Sequence, residues 1–468
     1  MNKWNPLVAS CLGTFMLLID VTIVTVALPD IAAATHSSFT TLQWVLDAYA
    51  LVLGALVLGM GALADNIGHK RVYLSGTALF AAASLACGLA DSGGVLVAAR
   101  AVQGVGGAAM FATTIALLHA TYSGRDRGVA FGVWGAVSGA SAGIGVVLGG
   151  VLTQWAGWRW VFMVNLPVSV CAIALSAVAF GETTRRRVRL DVPGIATFSL
   201  TAGALIFGII RGGEAGWGSA VTVGSLAVAA LALAVFAVAE SRAAQPMLPL
   251  VLLRSPRFVG SLVGALGMNF AAFSGSVLLS IWLQDVLRLS AIGTGCALLP
   301  MSVLAFVVAG GLGHRLDGAP PQRTIGLGLV IIGAGAGLLT VIDAGSRWYA
   351  AAPGLAVIGV GVGLSAPALA SVALGAVPPR LSGVASGAVN TARQLGFALG
   401  VAVLGSVFAA SAGSSRPATA ARFADGLTTA MTVAAAVGIA AGIVGILLFR
   451  RSAPTAEQAD ARISSRLS

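Results

Sequence analysis

Four ionisable side chains stand inside stretches of sequence that are otherwise apolar. Asp20 lies in Leu18-Ile19-Asp20-Val21-Thr22, Asp47 in Trp44-Val45-Leu46-Asp47-Ala48-Tyr49, Arg100 in Arg100-Ala101-Val102-Gln103-Gly104, and Arg393 between Asn390 and Gln394. A charge at the centre of a bilayer costs about 2.5 to 3.5 kcal/mol on insertion scales, so each of these is a candidate for function. Arg100 and Gln103 are three apart, share a helix face and can line one polar site. A carboxylate facing such an arginine can stay ionised, or take up a proton when a hydrophobic cation displaces its partner. That is the least chemistry needed to exchange a proton for a cation; the same residues would also make a static buried ion pair. Arg393 has no mid-span acid in the second half of the chain, which points to a structural or anion-facing use.

Asp47 follows Trp44 by three residues, so the two can offer a cation a carboxylate beside an aromatic face. Asp47 is therefore expected to select for substrate charge, acting on dications more than monocations, while Asp20 and Arg100 carry protons. Tyr49, Phe111, Trp134, Phe270 and Phe273 are candidates for an aromatic lining, although such rings are more often core or lipid-facing. Catalytic chemistry is not indicated. Gly139-Ala140-Ser141-Ala142-Gly143 has the spacing of a nucleophile elbow but lies in an apolar helical stretch. His36, His69, His119 and His314 fall in or near loops, and Cys11, Cys87, Cys171 and Cys296 sit in apolar stretches without paired spacing, which fits packing better than metal or disulfide chemistry.

The elements that must position these residues follow from composition. Of 468 residues 57% are hydrophobic and only 9% charged, against about 25% charged in soluble domains, so a soluble protein is excluded. Apolar stretches of spanning length, roughly 17 to 25 residues, fall at 7–30, 42–64, 72–91, 95–118, 128–153, 160–181, 194–211, 219–239, 258–283, 291–313, 324–343, 348–377, 384–410 and 425–449. The spacing thus predicts fourteen transmembrane helices, the first being retained and not a cleaved leader. The polar segments between them are too short to bury a core of their own. Lys3 and Lys70, the only lysines, are not in a phosphate-binding setting, so ATP is not the expected energy source.

The net charge of +11 is spread over short loops instead of forming one basic face, which argues against nucleic acid. Counted by loop, nineteen Lys and Arg fall on the side of the termini and six opposite, placing both termini in the cytoplasm by the positive-inside rule. The basic run Arg185-Arg186-Arg187-Val188-Arg189 follows six spans, and a second polar loop follows two more. The division expected is a six-helix bundle in 1–184, two inserted helices in 185–245, a second six-helix bundle in 246–450 and a cytoplasmic tail in 451–468. Sixty-two glycines let helices approach closely where lipid offers little hydrophobic drive; static packing and sliding faces both fit them.

Several segments together resemble the fourteen-span drug:proton antiporters of the major facilitator superfamily, particularly its quaternary-ammonium and methylenomycin exporters. Gly61-Ala62-Leu63-Ala64-Asp65-Asn66-Ile67-Gly68-His69-Lys70-Arg71 is similar to the superfamily signature between spans two and three. Leu18 to Pro29 resembles the first-span signature, Arg100 to Gly107 the fourth-span signature and Asn390 to Gly396 a thirteenth-span segment. Gly145-Val146-Val147-Leu148-Gly149-Gly150 resembles the fifth-span signature associated with export, with Val146 where proline is usual; without it the helix need not kink. An acid common near the thirteenth-span segment is absent, with Asn390 or Gln394 in its place.

The resemblance implies an all-α polytopic membrane protein of the major facilitator fold, arranged as 6+2+6 helices in the plasma membrane. It implies efflux of small hydrophobic or cationic drugs in exchange for protons, with no cofactor beyond the proton gradient. In this reading Asp20 and Arg100 couple protons; Asp47, Trp44, Tyr49, Phe111, Trp134, Phe270, Phe273, Asn390 and Gln394 meet the substrate; Gly61, Asp65, Gly68, Lys70, Arg71, Gly145, Gly149 and Gly150 serve gating. The expected partners are a small molecule, protons and lipid, with a monomer as the working form. An exporter of one self-made metabolite and a non-transporting membrane sensor are the alternatives.

Overall fold

A computed structural model of the chain describes residues 3–181, 191–243, 246, 248–316, 319–378, 381–412 and 419–450, and these are almost entirely helical with no strand among them. The Arg185 to Arg189 loop and the 451–468 tail lie outside the described residues. In chain order the helices are α1 (Asn5–Thr35), α2 (Phe39–Ile67), α3 (His69–Gly88), α4 (Gly93–Thr121), α5 (Gly124–Ala156), the short α6 (Trp160–Met163) with α7 (Asn165–Ala179), α8 (Val192–Ala215), α9 (Ala220–Arg242), α10 (Pro256–Met268), α11 (Gly275–Ile281), α12 (Ala291–Leu316), α13 (Leu327–Leu338), α14 (Ala352–Gly375), α15 (Ser382–Ala412) and α16 (Ala420–Arg450). A π-helical turn at Asn269–Phe273 joins α10 to α11 into one span, and another at Trp282–Val286 ends it.

Helix starts are written in the sequence: Ser38, Ser92, Ser219 and Asp191 each accept a hydrogen bond from a backbone N–H in the first turn. Within the spans, hydroxyls return to their own helix, as Thr25 to Val21 O, Thr77 to Tyr73 O and Thr114 to Met110 O. A span in lipid has no water to satisfy them, so a bond within the helix is the least costly solution. Glycines set the close approaches. A Cβ on Gly106 of α4 would stand 2.7 Å from both Gly76 O and Phe80 N of α3, so only glycine permits this approach.

The packing recurs along the chain. Among the helices before α8, α4 packs on α2 and α3, α1 on α5 and α7, and α3 on α7; among those after α9, α14 packs on α12 and α13, α10 on α15 and α16, and α13 on α16. Matching α1 to α10, α2 to α12 and so on reproduces each of these pairs. The two groups meet where α2 packs on α15 and α5 on α12, which are the same pair under that matching, as a two-fold relation requires. The α8–α9 hairpin leans on α15 and α2 through α8.

Twelve of these spans among the described residues are long and apolar enough to cross a membrane, against the fourteen expected. The two that fall short are α3, which opens on His69-Lys70-Arg71, and α5, whose counted apolar part is only Ile144–Ala156. Both are nonetheless helices packed inside the bundle.

Candidate functional site

Five elements bring polar side chains to one buried point. Asp20 sits midway along α1, Arg100 and Gln103 one turn apart on α4, Ser84 on α3, Asn165 at the start of α7 and Tyr49 on α2. None is more than 2% exposed. Arg100 Nη1 donates to Asp20 Oδ2 and, over 2.7 Å, to Gln103 Oε1, while its Nε donates to Val45 O at 3.0 Å. Asp20 Oδ1 accepts from Gln103 Nε2 and Asn165 Nδ2, each at 3.0 Å, and both amides also donate to Ser84 Oγ. The guanidinium lies 4.2 Å from the Tyr49 ring centroid.

Every group bonded to Asp20 is a donor. A buried ion pair persists only with this degree of hydrogen bonding. Because Asp20 has no exposed surface, a proton can reach it only after the helices around it move.

Asp47 is also fully buried, on the opposite side of α2. Neither of its carboxylate oxygens has a hydrogen-bond partner. Its neighbours in register show where it faces: Gln43 Nε2 donates to Val401 O at 3.0 Å, and Gly54 O accepts from Thr391 Oγ1 at 2.7 Å, so 43, 47 and 54 share the face that meets α15. Trp44 is rotated away and packs on Phe207 of α8, with ring centroids 6.3 Å apart. Asn390, Arg393 and Gln394 project from α15 near the middle of the bundle, all partly exposed.

The expected aromatic lining is not gathered around one point. Tyr49 supports Arg100 from a position 1% exposed. Phe111 packs in a cluster with Met16 and Leu17, whereas Trp134 sits with Leu7 and Tyr122 and donates to Thr14 Oγ1 at 2.9 Å. Phe270 and Phe273 belong to the π turn in the last six spans, within a third apolar cluster. Cys171 and Cys296 are exposed and so are not packing residues.

Of the expected gating residues, Gly68 has φ of 105°, a left-handed turn between α2 and α3 that glycine adopts without strain. Lys70 donates to Ala177 O at 2.7 Å and Phe180 O at 2.8 Å, a cation on the C-terminal carbonyls of α7. Arg71 is exposed, and the Asp65 side chain lies outside what is described. α5 runs unbroken past Val146. Gly145 and Gly149 press on α1 at Thr22 and Ile23, while Gly150 faces α12, where a Cβ would meet Ala291 O at 2.5 Å and Ile292 Cα at 2.8 Å. A Cβ at Gly61 would meet no atom within 4 Å.

Gly150→Leu is therefore expected to lower stability by about 1 to 3 kcal/mol through overpacking against backbone that cannot yield. Gly61→Ala should leave it unchanged or slightly raised. Thermal denaturation of the two purified variants makes the comparison; an unaffected Gly150→Leu protein would mean that α5 and α12 do not meet this closely.

A two-fold repeated bundle of apolar helices, with charged side chains buried inside it, is the architecture on which many membrane transporters are built. The sequence profile of the Major Facilitator Superfamily matches residues 10–401, and the chain belongs to that family. It is 36% identical over 409 residues to the multidrug resistance protein Stp of Mycobacterium tuberculosis, covering 86% of this chain and 75% of that one. It is 33% identical over 419 residues to the tetracenomycin C resistance and export protein of Streptomyces glaucescens, covering 89% and 78% respectively. In fold it is similar to the human organic anion transporter MFSD10 (TETRAN), with a TM-score of 0.64, 14% identity, and coverage of 95% of this chain and 100% of that one. These relatives are transporters and not enzymes.

Sequence reasoning missed Ser84 and Asn165 as parts of the Asp20 site. Asn165 carried a visible signal, an amide inside the apolar run Met163-Val164-Asn165-Leu166. Ser84 carried none, because serine is common in close-packed spans.

Proposed function

We propose that this chain exports small hydrophobic or cationic molecules by alternating access in exchange for protons. The observation that carries this reading is the sealed Asp20–Arg100–Gln103–Asn165 network. The Asp20 carboxylate has no exposed surface in this arrangement, so a change of conformation must open it before it can exchange with either side. In the cycle, substrate enters between the two six-helix groups, Asp20 opens to the outer side and takes up a proton as substrate leaves, and release of that proton inward re-forms the pair with Arg100. The multidrug resistance and antibiotic export named for its relatives support the outward direction. Flux in proteoliposomes tests it: substrate must accumulate against an imposed pH gradient and stop when the gradient is collapsed. Absence of flux would leave the sensor alternative.

The arrangement proposed is fourteen spans, counting α3 and α5, as 6+2+6 with both termini in the cytoplasm of a plasma-membrane monomer. The recurrent packing supports it. Single cysteines at Arg187 and Ser414, in a chain freed of its native cysteines, test the orientation. An impermeant reagent on intact cells is expected to modify Ser414→Cys and spare Arg187→Cys; the reverse pattern would sink the topology.

A dedicated exporter of one metabolite is the second reading, favoured by the similarity to the tetracenomycin C protein. Resistance to several unrelated compounds in an efflux-deficient host would decide for broad export.

A further inference from the structure

Two charges of opposite sign stand without partners near the place where the two six-helix groups meet. On α2, Asp47 is 0% exposed and both its oxygens lack a hydrogen bond. On α15, Arg393 makes no ion pair or hydrogen bond with any described residue, and its neighbours on the same helix arc, Asn390 and Gln394, make none either. Three polar side chains at i, i+3 and i+4 share one helix face, and all three keep some exposed surface although they lie mid-helix. The flanking faces of α15 are packed: Thr391 and the Cβ of Gln394 abut Gly54 of α2, while Gly396 and Gly400 press on Leu266 and Ser274 of the α10–α11 span. The Asn390–Arg393 arc falls between those two contacts.

The register places the two charges. Antiparallel pairing of Gln43 with Val401 and of Gly54 with Thr391 puts Asp47 level with residues 397 and 398. Arg393 is then about 7 Å further along the axis at 1.5 Å per residue. No ion pair joins them, and no described protein group compensates either.

We propose that this site takes an amphoteric molecule, whose cationic group meets Asp47 and whose anionic group meets Arg393, in preference to a simple lipophilic cation. The inference rests on the export reading above and narrows its substrate class. Asp47 can dispose of its charge by protonation, but a guanidinium cannot. A simple cation therefore satisfies the carboxylate and leaves Arg393 bare in the bundle, while a simple anion does the reverse. A ligand carrying both charges compensates both residues and brings no net charge into the bilayer core. Asn390 and Gln394 add donors beside Arg393 for the ligand's acid group.

Rhodamine 110, a zwitterion through its free carboxylate, and rhodamine 123, its cationic methyl ester, differ at the group that Arg393 would read. With the purified full chain in proteoliposomes, the acid is expected to move with a KM at least ten-fold below that of the ester. Arg393→Gln should collapse that preference to about two-fold or less, and Arg393→Lys, which keeps a cation in place, should retain most of it. Equal KM values in the wild type, or a preference for the ester, would overturn the proposal, as would a preference that survives Arg393→Gln. Proton-driven flux of the ester without preference for the acid sinks the substrate class and leaves the export reading standing; movement of neither dye counts against both.

Discussion

Asp20→Asn is expected to reduce pH-gradient-driven efflux by about 100-fold or more, since the amide cannot carry the proton on which exchange depends. A second consequence follows from the hydrogen bonding. All three hydrogen bonds to Asp20 come from donors, namely Arg100, Gln103 and Asn165. The new amide nitrogen must therefore face a donor, and leaving such a buried group unsatisfied costs about 1 to 3 kcal/mol. The variant should consequently fold with a lowered thermal midpoint and still bind substrate in detergent. Gradient-driven flux, binding and thermal denaturation measured on one preparation separate the two effects. Normal flux in a well-expressed Asp20→Asn protein would remove Asp20 from the coupling role.

Arg100→Ala is expected to be the most destabilising single change at the site, by about 3 to 5 kcal/mol, because it leaves the Asp20 carboxylate charged and uncompensated in the bundle. Adding Asp20→Asn should restore part of that loss, since the uncompensated charge is then gone; residues in contact couple in this way by about 0.5 to 3 kcal/mol. Arg100→Lys should rescue poorly. The guanidinium makes separate directed bonds to Asp20, Gln103 and Val45 O and lies over the Tyr49 ring, and an ammonium cannot reproduce that planar fork. Thermal unfolding of the single and double variants closes the cycle. If Arg100→Ala unfolds within about 1 kcal/mol of the wild type, the pair is not energetically coupled to the fold.

The Arg100–Gln103 pairing was legible in the chain alone, because three-residue spacing aims the two together and a charge in an apolar run must find a partner; which acid supplies that partner, Asp20 or Asp47, was not. The aromatic lining was not. Tyr49, Phe111 and Trp134 look equivalent along the chain, yet one supports Arg100, one fills a core cluster and one bonds Thr14. Apolar rings satisfy themselves against any greasy neighbour, so sequence carries little information on which neighbour is chosen. Nor does the chain show how Trp44 and Asp47 are used: a shared helix face allows the two side chains to meet, but Trp44 packs on Phe207 of α8, while Gln43 and Gly54, on the arc of Asp47, bond to α15.

By itself the sequence determined that this is a many-spanning helical membrane protein of the major facilitator family, with charged residues of both signs inside the apolar stretches of its first half. Hydropathy and the cost of bare charge in lipid act locally along the chain, so they can be read without coordinates. Only the tertiary structure decided that Asn165 and Ser84 close the Asp20 network from other helices, that Asp47 and Arg393 are left without partners among the described residues, and that Gly150 meets backbone while Gly61 meets nothing. Those facts depend on which helices become neighbours. That choice is made by close packing between distant segments, where each contact contributes little and the sum alone selects the arrangement.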